Sequence, residues 1–181
     1  MAVRVKLTYQ DYLELPDDGK QYQIIEGALY VTPAPGRPHQ GTSGNLYSIL
    51  RAHILGQALG ELYFAPFDVI LDEFTIVQPD LLFIDHERLD MLTDRGMEGP
   101  PTLVVEILSP SSNRIDRVRK LGIYAKHGVP NYWIVDPLTR YIEAYELRGE
   151  SYELTGYLQG TASGPLPPFP ELTIRLVDVW S

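Results

Sequence analysis

Apolar residues fall in short runs along the 181-residue chain, divided by turn-forming glycine, proline, aspartate and asparagine. Thr8-Tyr9-Gln10-Asp11 has the chemistry of a helix start, and a short helix from Thr8 to Leu15 is expected to stop at Pro16-Asp17-Asp18-Gly19. Tyr22 to Glu26 and Ala28 to Thr32 flank Gly27 and predict a hairpin. A loop is expected from Pro33 to Pro38. Leu46, Ile49, Leu50 and Ile54 recur at helical spacing and predict a helix from Thr42 to Leu59. Strands are expected at Leu62 to Phe64, Asp68 to Leu71 and Val77 to Ile84, then a loop rich in Arg, Asp and Gly, then the strand Thr102 to Leu108. Ser109-Pro110-Ser111-Ser112-Asn113 offers helix-capping side chains. The helix after it is expected to run to His127 and to end at Gly128. Asn131 to Val135, Tyr141 to Glu146 and Tyr152 to Tyr157 complete the strands, and Pro165 to Pro170 reads as a turn.

This order predicts an α/β fold: a mixed sheet flanked by helices, ending in an antiparallel C-terminal meander. Thr102 to Val135 is expected to form a strand-helix-strand unit with its two strands parallel. The length suits one domain spanning residues 1–181.

One position breaks the apolar pattern. Glu106 is the only charge in Thr102-Leu103-Val104-Val105-Glu106-Ile107-Leu108, a run that reads as a strand buried on both faces. An ionised carboxylate there costs several kcal/mol unless a cation, a metal or a pocket compensates it. Asp80 opens a second apolar run, Asp80-Leu81-Leu82-Phe83-Ile84. Two carboxylates on neighbouring strands can hold a hard divalent cation through oxygen.

Lys120 lies on the helix that follows Glu106. Asp116 four residues before it and Tyr124 four after share its stripe. A lysine there could orient an attacking water or offset transition-state charge; an ordinary surface pair with Asp116 is the alternative. Glu26, just before Gly27, is a possible third acid or simply a turn residue. His39, in the loop before the second helix, is a possible phosphate contact or proton carrier. Arg114, Arg117, Arg119, Lys120 and Lys126 put five of the fifteen basic residues on one helix, as a phosphate-facing patch or a solvated surface.

Composition narrows these choices. The absence of cysteine excludes disulfides and thiolate ligands, leaving oxygen or imidazole for any metal, and suits a reducing cytoplasm. No apolar run approaches the roughly 20 residues of a membrane span, so the chain is expected to be cytoplasmic and without a membrane partner. A net charge of −9 speaks mildly against constitutive high-affinity nucleic-acid binding, though not against an enzyme with a local basic patch.

Several segments occur together in a telling order: Ile25-Glu26-Gly27-Ala28-Leu29, Pro38-His39-Gln40, Val77-Gln78-Pro79-Asp80 and Val104-Val105-Glu106-Ile107-Leu108-Ser109-Pro110-Ser111. Asp116 with Lys120, Tyr124, and Gly128-Val129-Pro130-Asn131-Tyr132-Trp133-Ile134-Val135-Asp136-Pro137 follow. Over nearly the whole chain this resembles the PD-(D/E)XK nuclease superfamily, and more closely its Uma-two family of bacterial restriction-endonuclease-like proteins. The resemblance implies a restriction-endonuclease-like core and an endonuclease that hydrolyses DNA with Mg²⁺, for which Mn²⁺ can substitute. It implies that Asp80 and Glu106 ligate the metal, with the Ile107 carbonyl and Glu26 completing the shell. The superfamily lysine two residues after the motif acid is replaced here by Leu108; the closer family carries its lysine on the following helix, where Lys120 stands. A homodimer is expected by the same analogy, a two-fold pair placing two sites near two strands of a duplex. Two other readings remain: a catalytically silent nuclease-fold module that binds or regulates, and a buried structural ion network of Asp80, Glu106 and Lys120.

Overall fold

The alternation of side chains along its middle strands explains how this protein is layered. The computed structural model describes residues 5–109 and 114–180, with the backbone alone for residues 114–117. The central sheet contains β3 (Gly60–Phe64), β6 (Leu81–Asp85), β9 (Leu103–Ile107), β10 (Asn131–Asp136), β11 (Tyr141–Arg148) and β12 (Ser151–Gln159), in the order β12-β11-β10-β9-β6-β3. Within this sheet only β9 and β10 pair in parallel. They are joined by α3 (Arg114–Lys126), which is the expected strand-helix-strand unit.

Successive residues of a strand face opposite sides, so each middle strand feeds two cores. Leu81, Phe83, Leu103, Val105, Ile107, Trp133 and Val135 face one side. There they meet Leu46, Leu50 and Ile54 of α2 (Arg37–Gly56), together with the C-terminal hairpin of β13 (Ser163–Leu166) and β14 (Phe169–Arg175) and the short α4 (Leu176–Val179). Leu82, Ile84, Val104, Tyr132 and Ile134 face the other side, against Ile123 and Tyr124 of α3 and a second sheet. That sheet has the order β2-β1-β5-β4-β8-β7. Its strands are β1 (Gln21–Ile25), β2 (Ala28–Thr32), β4 (Val69–Asp72), β5 (Thr75–Val77), β7 (Leu92–Thr93) and β8 (Gly96–Glu98). Ahead of it, α1 (Tyr9–Leu13) begins in a capping box between Thr8 and Asp11, the signal read from the sequence.

The α/β class and the C-terminal meander are as expected, but the strands form two large sheets rather than one, plus the β13–β14 hairpin. The run Val77 to Ile84, expected to be one strand, is divided. Val77 ends β5 in the second sheet and Leu81 starts β6 in the central sheet, with Gln78-Pro79-Asp80 carrying the chain between them. Pro79 has no N–H to give a ladder, which suits it to this crossing. The second helix starts at Arg37, not Thr42, with proline in its first turn, where the missing N–H costs nothing. His39 is therefore a helix residue and not a loop residue.

The Glu26-Gly27 turn between β1 and β2 has positive φ at both residues, 53° and 83°. This is the backbone of a tight two-residue hairpin. A Cβ on Gly27 would meet the Lys6 Cβ at 2.6 Å, so only glycine fits. α3 ends as expected: Gly128 has φ 75°, its N–H donates to the Ala125 carbonyl (3.0 Å), and the Val129 N–H reaches back to Tyr124 (3.0 Å). Among the described residues, no helix is long and apolar enough to cross a membrane.

The C-terminal hairpin closes the α2-side core through Phe169, whose ring lies 5.1 Å from Phe83 and 6.2 Å from Trp133 between centroids. The Trp133 indole N–H also donates to the Pro167 carbonyl at 2.6 Å. Phe169→Ala is expected to cost about 3–5 kcal/mol in urea unfolding. The exposed control Leu138→Ala should stay within about 0.5 kcal/mol of wild type.

Candidate functional site

Alternation places Glu106 on the α3 side of β9, the same side as Val104. β6 and β9 are antiparallel, with Leu82 opposite Val104 and Leu81 opposite Val105. One step further in that register sets Asp80 opposite Glu106, at the point where the β6 ladder ends. Asp80 takes over part of the ladder's role there: its Oδ2 accepts the Ile107 N–H at 2.7 Å. Its own carbonyl accepts the Ala65 N–H at 3.0 Å.

Glu106 is 8% exposed. Its Oε2 accepts from the Lys120 ammonium at 2.8 Å and its Oε1 from the Tyr124 hydroxyl at 2.7 Å. Both donors come from one stripe of α3, because residues four apart lie one above the other. Lys120 reaches inward to Glu106; the alternative surface pair with Asp116 falls outside the described residues, as the Asp116 side chain does. Burial pushes the Glu106 carboxyl above its usual pKa. The Lys120 charge opposes that rise, the Asp80 charge adds to it, and the hydrogen bonds from Lys120 and Tyr124 resist it. Burial, with the neighbouring Glu106 charge, raises the Tyr124 hydroxyl well above the usual tyrosine range, so it remains a donor.

His39 projects from the first turn of α2, its Nε2 3.1 Å from Asp80 Oδ1. Burial alone would lower its pKa. The hydrogen bond and charge of Asp80 outweigh burial, Glu106 and the Ile107 backbone add to them, and the imidazole titrates above its ordinary value. Its Nδ1 is buried with no hydrogen-bond partner among the described residues.

These groups share one cavity of about 770 Å³. Asp80, Glu106, Ile107, Lys120 and His39 all line it, so the structure brings together five of the residues singled out in the sequence. Glu26 is not among its lining residues. The positive-φ turn leaves its side chain 48% exposed, 3.4 Å from Arg119, instead of adding it to the carboxylate pair. The basic helix is also not one patch: Lys120 faces Glu106, Arg119 packs elsewhere on the cavity wall and Lys126 is exposed, while the side chains of Arg114 and Arg117 lie outside the described residues.

Arg119 of the basic helix also lines the wall, beside several residues that the sequence does not single out. The Arg119 guanidinium lies 5.0 Å from the centroid of the Tyr30 ring and donates to the Tyr30 hydroxyl and to the Ile25 carbonyl (3.2 Å). Tyr47 and Phe64 meet edge to face at 4.9 Å. Gln23 and Gln78 each have a buried amide oxygen without a partner among the described residues. Phe64 ends an expected strand, but its 56% exposure has no signal in the sequence.

The donor set suits a hard divalent cation: two carboxylates facing each other across the end of the β6–β9 ladder, beside a backbone carbonyl position. Among the described residues, no three His, Asp or Glu side chains are gathered to hold an ion unaided. A cation here would draw further oxygens from the backbone, water or a substrate phosphate, as small divalent ions commonly do.

Residues 9–177 match the Uma2 family, the Uma-two family of the sequence analysis, described as "Putative restriction endonuclease". Among solved structures, the crystal structure of a "putative nuclease" from Anabaena variabilis is similar, with a TM-score of 0.79 and 20% identity over 96% of this chain and 97% of that one. At that identity the likeness is one of fold. No curated protein matches the chain.

Two outcomes follow from the geometry. Lys120→Met leaves Glu106 buried without its cation and is expected to cost about 3 kcal/mol in urea unfolding, most of it recovered when Glu106→Leu is added. A raised His39 pKa means the folded state binds this proton more tightly than the unfolded chain, whose imidazole titrates near 6.5. That stabilisation is complete below pH 6.5 and is lost as pH rises through the folded-state value. In EDTA, the stability advantage of wild type over His39→Gln should therefore shrink on moving from about pH 6 to about pH 9.

Proposed function

The chain belongs to the Uma2 family of restriction-endonuclease-like proteins, and from that membership we propose that it is a metal-dependent endonuclease hydrolysing DNA phosphodiester bonds. The observation that carries the reading is the meeting of Asp80 and Glu106 at the end of the β6–β9 ladder, in one cavity with Lys120 and His39.

In this reading Asp80 and Glu106 would hold Mg²⁺, or Mn²⁺ in its place, with the Ile107 carbonyl as a further donor. When bound, the ion would offset phosphate charge and acidify a water molecule. Water oxygen bonds to phosphorus and gives up one proton to solvent as the bond to the leaving oxygen breaks, and the leaving oxygen takes up one proton. Tyr124 and Lys120 fix the Glu106 carboxylate through separate oxygens, which holds its orientation before substrate arrives. The Lys120 ammonium then lies beside the reacting phosphate, where it orients the water or offsets developing negative charge. His39, whose imidazole takes up a proton more readily than usual, can neutralise a phosphate oxygen or supply the leaving group's proton. Glu26, 3.4 Å from Arg119, would act through that arginine in this reading.

A catalytically silent binding module is favoured by one observation: each carboxylate already has a cationic or proton-bearing neighbour from its own chain, Lys120 for Glu106 and His39 for Asp80. That reading expects ligand binding that survives Lys120→Ala and needs no metal. The homodimer belongs to the nuclease reading, and light scattering behind size exclusion tests it through a mass twice the 20.5 kDa of the chain.

Calorimetric titration of Mg²⁺ and Mn²⁺ is expected to show binding to wild type and none to Glu106→Ala. Metal-dependent DNA cleavage should be abolished in Glu106→Ala and slowed roughly 10²–10³-fold in Lys120→Ala. Cleavage by Glu106→Ala at the wild-type rate would overturn the mechanism.

A further inference from the structure

The shape of the cavity bears on the form of DNA that can reach the two carboxylates. Both are recessed: the side chains of Glu106 and Asp80 are 11% and 18% exposed. The volume of about 770 Å³ falls within the roughly 300–1,000 Å³ typical of sites that take a single small ligand. It has no room for a B-form duplex, whose major groove alone is about 12 Å wide.

Three cations stand on the described part of the wall. Lys120, Arg119 and His39 are the basic side chains lining the cavity among the described residues, in a chain of net charge −9. Three positive groups can meet one or two phosphates. A duplex tract is held by far more, because phosphate contacts supply most of such affinity.

The wall next to Asp80 is aromatic. Phe64 is 56% exposed and pairs in β3 with Leu81, the residue after Asp80. The Ala65 N–H bonded to the Asp80 carbonyl fixes that neighbourhood. Tyr47 supports Phe64 from α2, and Val31 of β2, 51% exposed, lies on the same cavity's wall. A large exposed ring beside a candidate catalytic acid is a surface for a flat partner. Bases inside a duplex are stacked on both faces, and only an unpaired base offers a free face to a protein ring.

We propose that this cavity admits an unpaired nucleotide, whose base stacks on Phe64 while its phosphate lies between Lys120, Arg119 and the two carboxylates. The substrate class is then single-stranded or locally unpaired DNA, taken in preference to continuous duplex. This rests on the nuclease reading for its choice of DNA, but the stacking contact does not depend on cleavage. Phe64 acts here as a specificity residue and does not touch the reacting atoms.

The test is fluorescence anisotropy with the full chain in EDTA, using a labelled 12-nucleotide single strand and the blunt duplex of the same sequence, followed by cleavage of both in Mg²⁺. Wild type should bind the single strand at least about tenfold more tightly than the duplex. Phe64→Ala should weaken single-strand binding by about tenfold, the order expected for one lost base–aromatic stack, and leave duplex binding unchanged. Phe64→Trp should retain or tighten it, which separates stacking from loss of fold. Equal binding of the two forms, or single-strand binding indifferent to Phe64→Ala in a folded variant, overturns the proposal. Single-strand binding without cleavage would leave the proposal standing and count against the nuclease reading. Cleavage of blunt duplex in preference to the single strand would do the reverse.

Discussion

A carboxylate in a protein interior must be held by donors, and here a single helix provides both. Glu106 would be untenable in β9 without Lys120 and Tyr124, and those two reach it because they stand one turn apart on α3. The architecture around the site follows from that requirement. α3 has to lie across the strand bearing Glu106, and the parallel β9–β10 pair it connects fixes where it can lie. Its C-terminal end is set by Gly128 and the backbone bonds around it. The helix that builds the fold's crossover is therefore also the helix that makes its buried acid tolerable.

Asp80 answers a different need. Where β6 stops pairing with β9, the Ile107 N–H would lose its acceptor, and a side-chain oxygen takes the role of the missing strand. The residue that repairs the ladder stands opposite Glu106 for the same geometric reason. Two acids thus converge because a strand ends, with no need for a dedicated loop to bring them together. His39 enters from the α2 layer on the opposite side, so the site gathers groups from both faces of the central sheet.

What could be read from the sequence divides along physical lines. Glu106 was legible because one charge in an apolar run is a local anomaly with a known cost. Lys120 and Tyr124 were legible because helical spacing fixes which side chains share a stripe. The division of Val77 to Ile84 was not: both sheets want buried β-branched and aliphatic residues, so the two strands read as one. His39 was placed in a loop because Pro38 looks like an interruption, whereas the first turn of a helix accepts it. Glu26 reads as a third acid or as a turn residue with nothing in the sequence to choose between them, because its identity does not reveal the positive φ that turns its side chain toward Arg119. The aromatic wall was invisible for a different reason. Tyr30, Tyr47 and Phe64 come from a strand of one sheet, a helix and an edge strand of the other, and no local pattern connects them.

The alternation of β9 also governs which genetic changes this site can survive. Side chains along the strand switch layers at every step, so losing or gaining a single codon between Leu103 and Glu106 would turn the acid from the α3 layer into the hydrocarbon packed against α2. Neither Lys120 nor Tyr124 could follow it there. Length variation in descendants of this gene is thus expected in the surface turns, such as Leu138 to Arg140, while the few residues leading to Glu106 keep a fixed count. Over evolutionary time the site would be guarded as much by that count as by the identity of the acid.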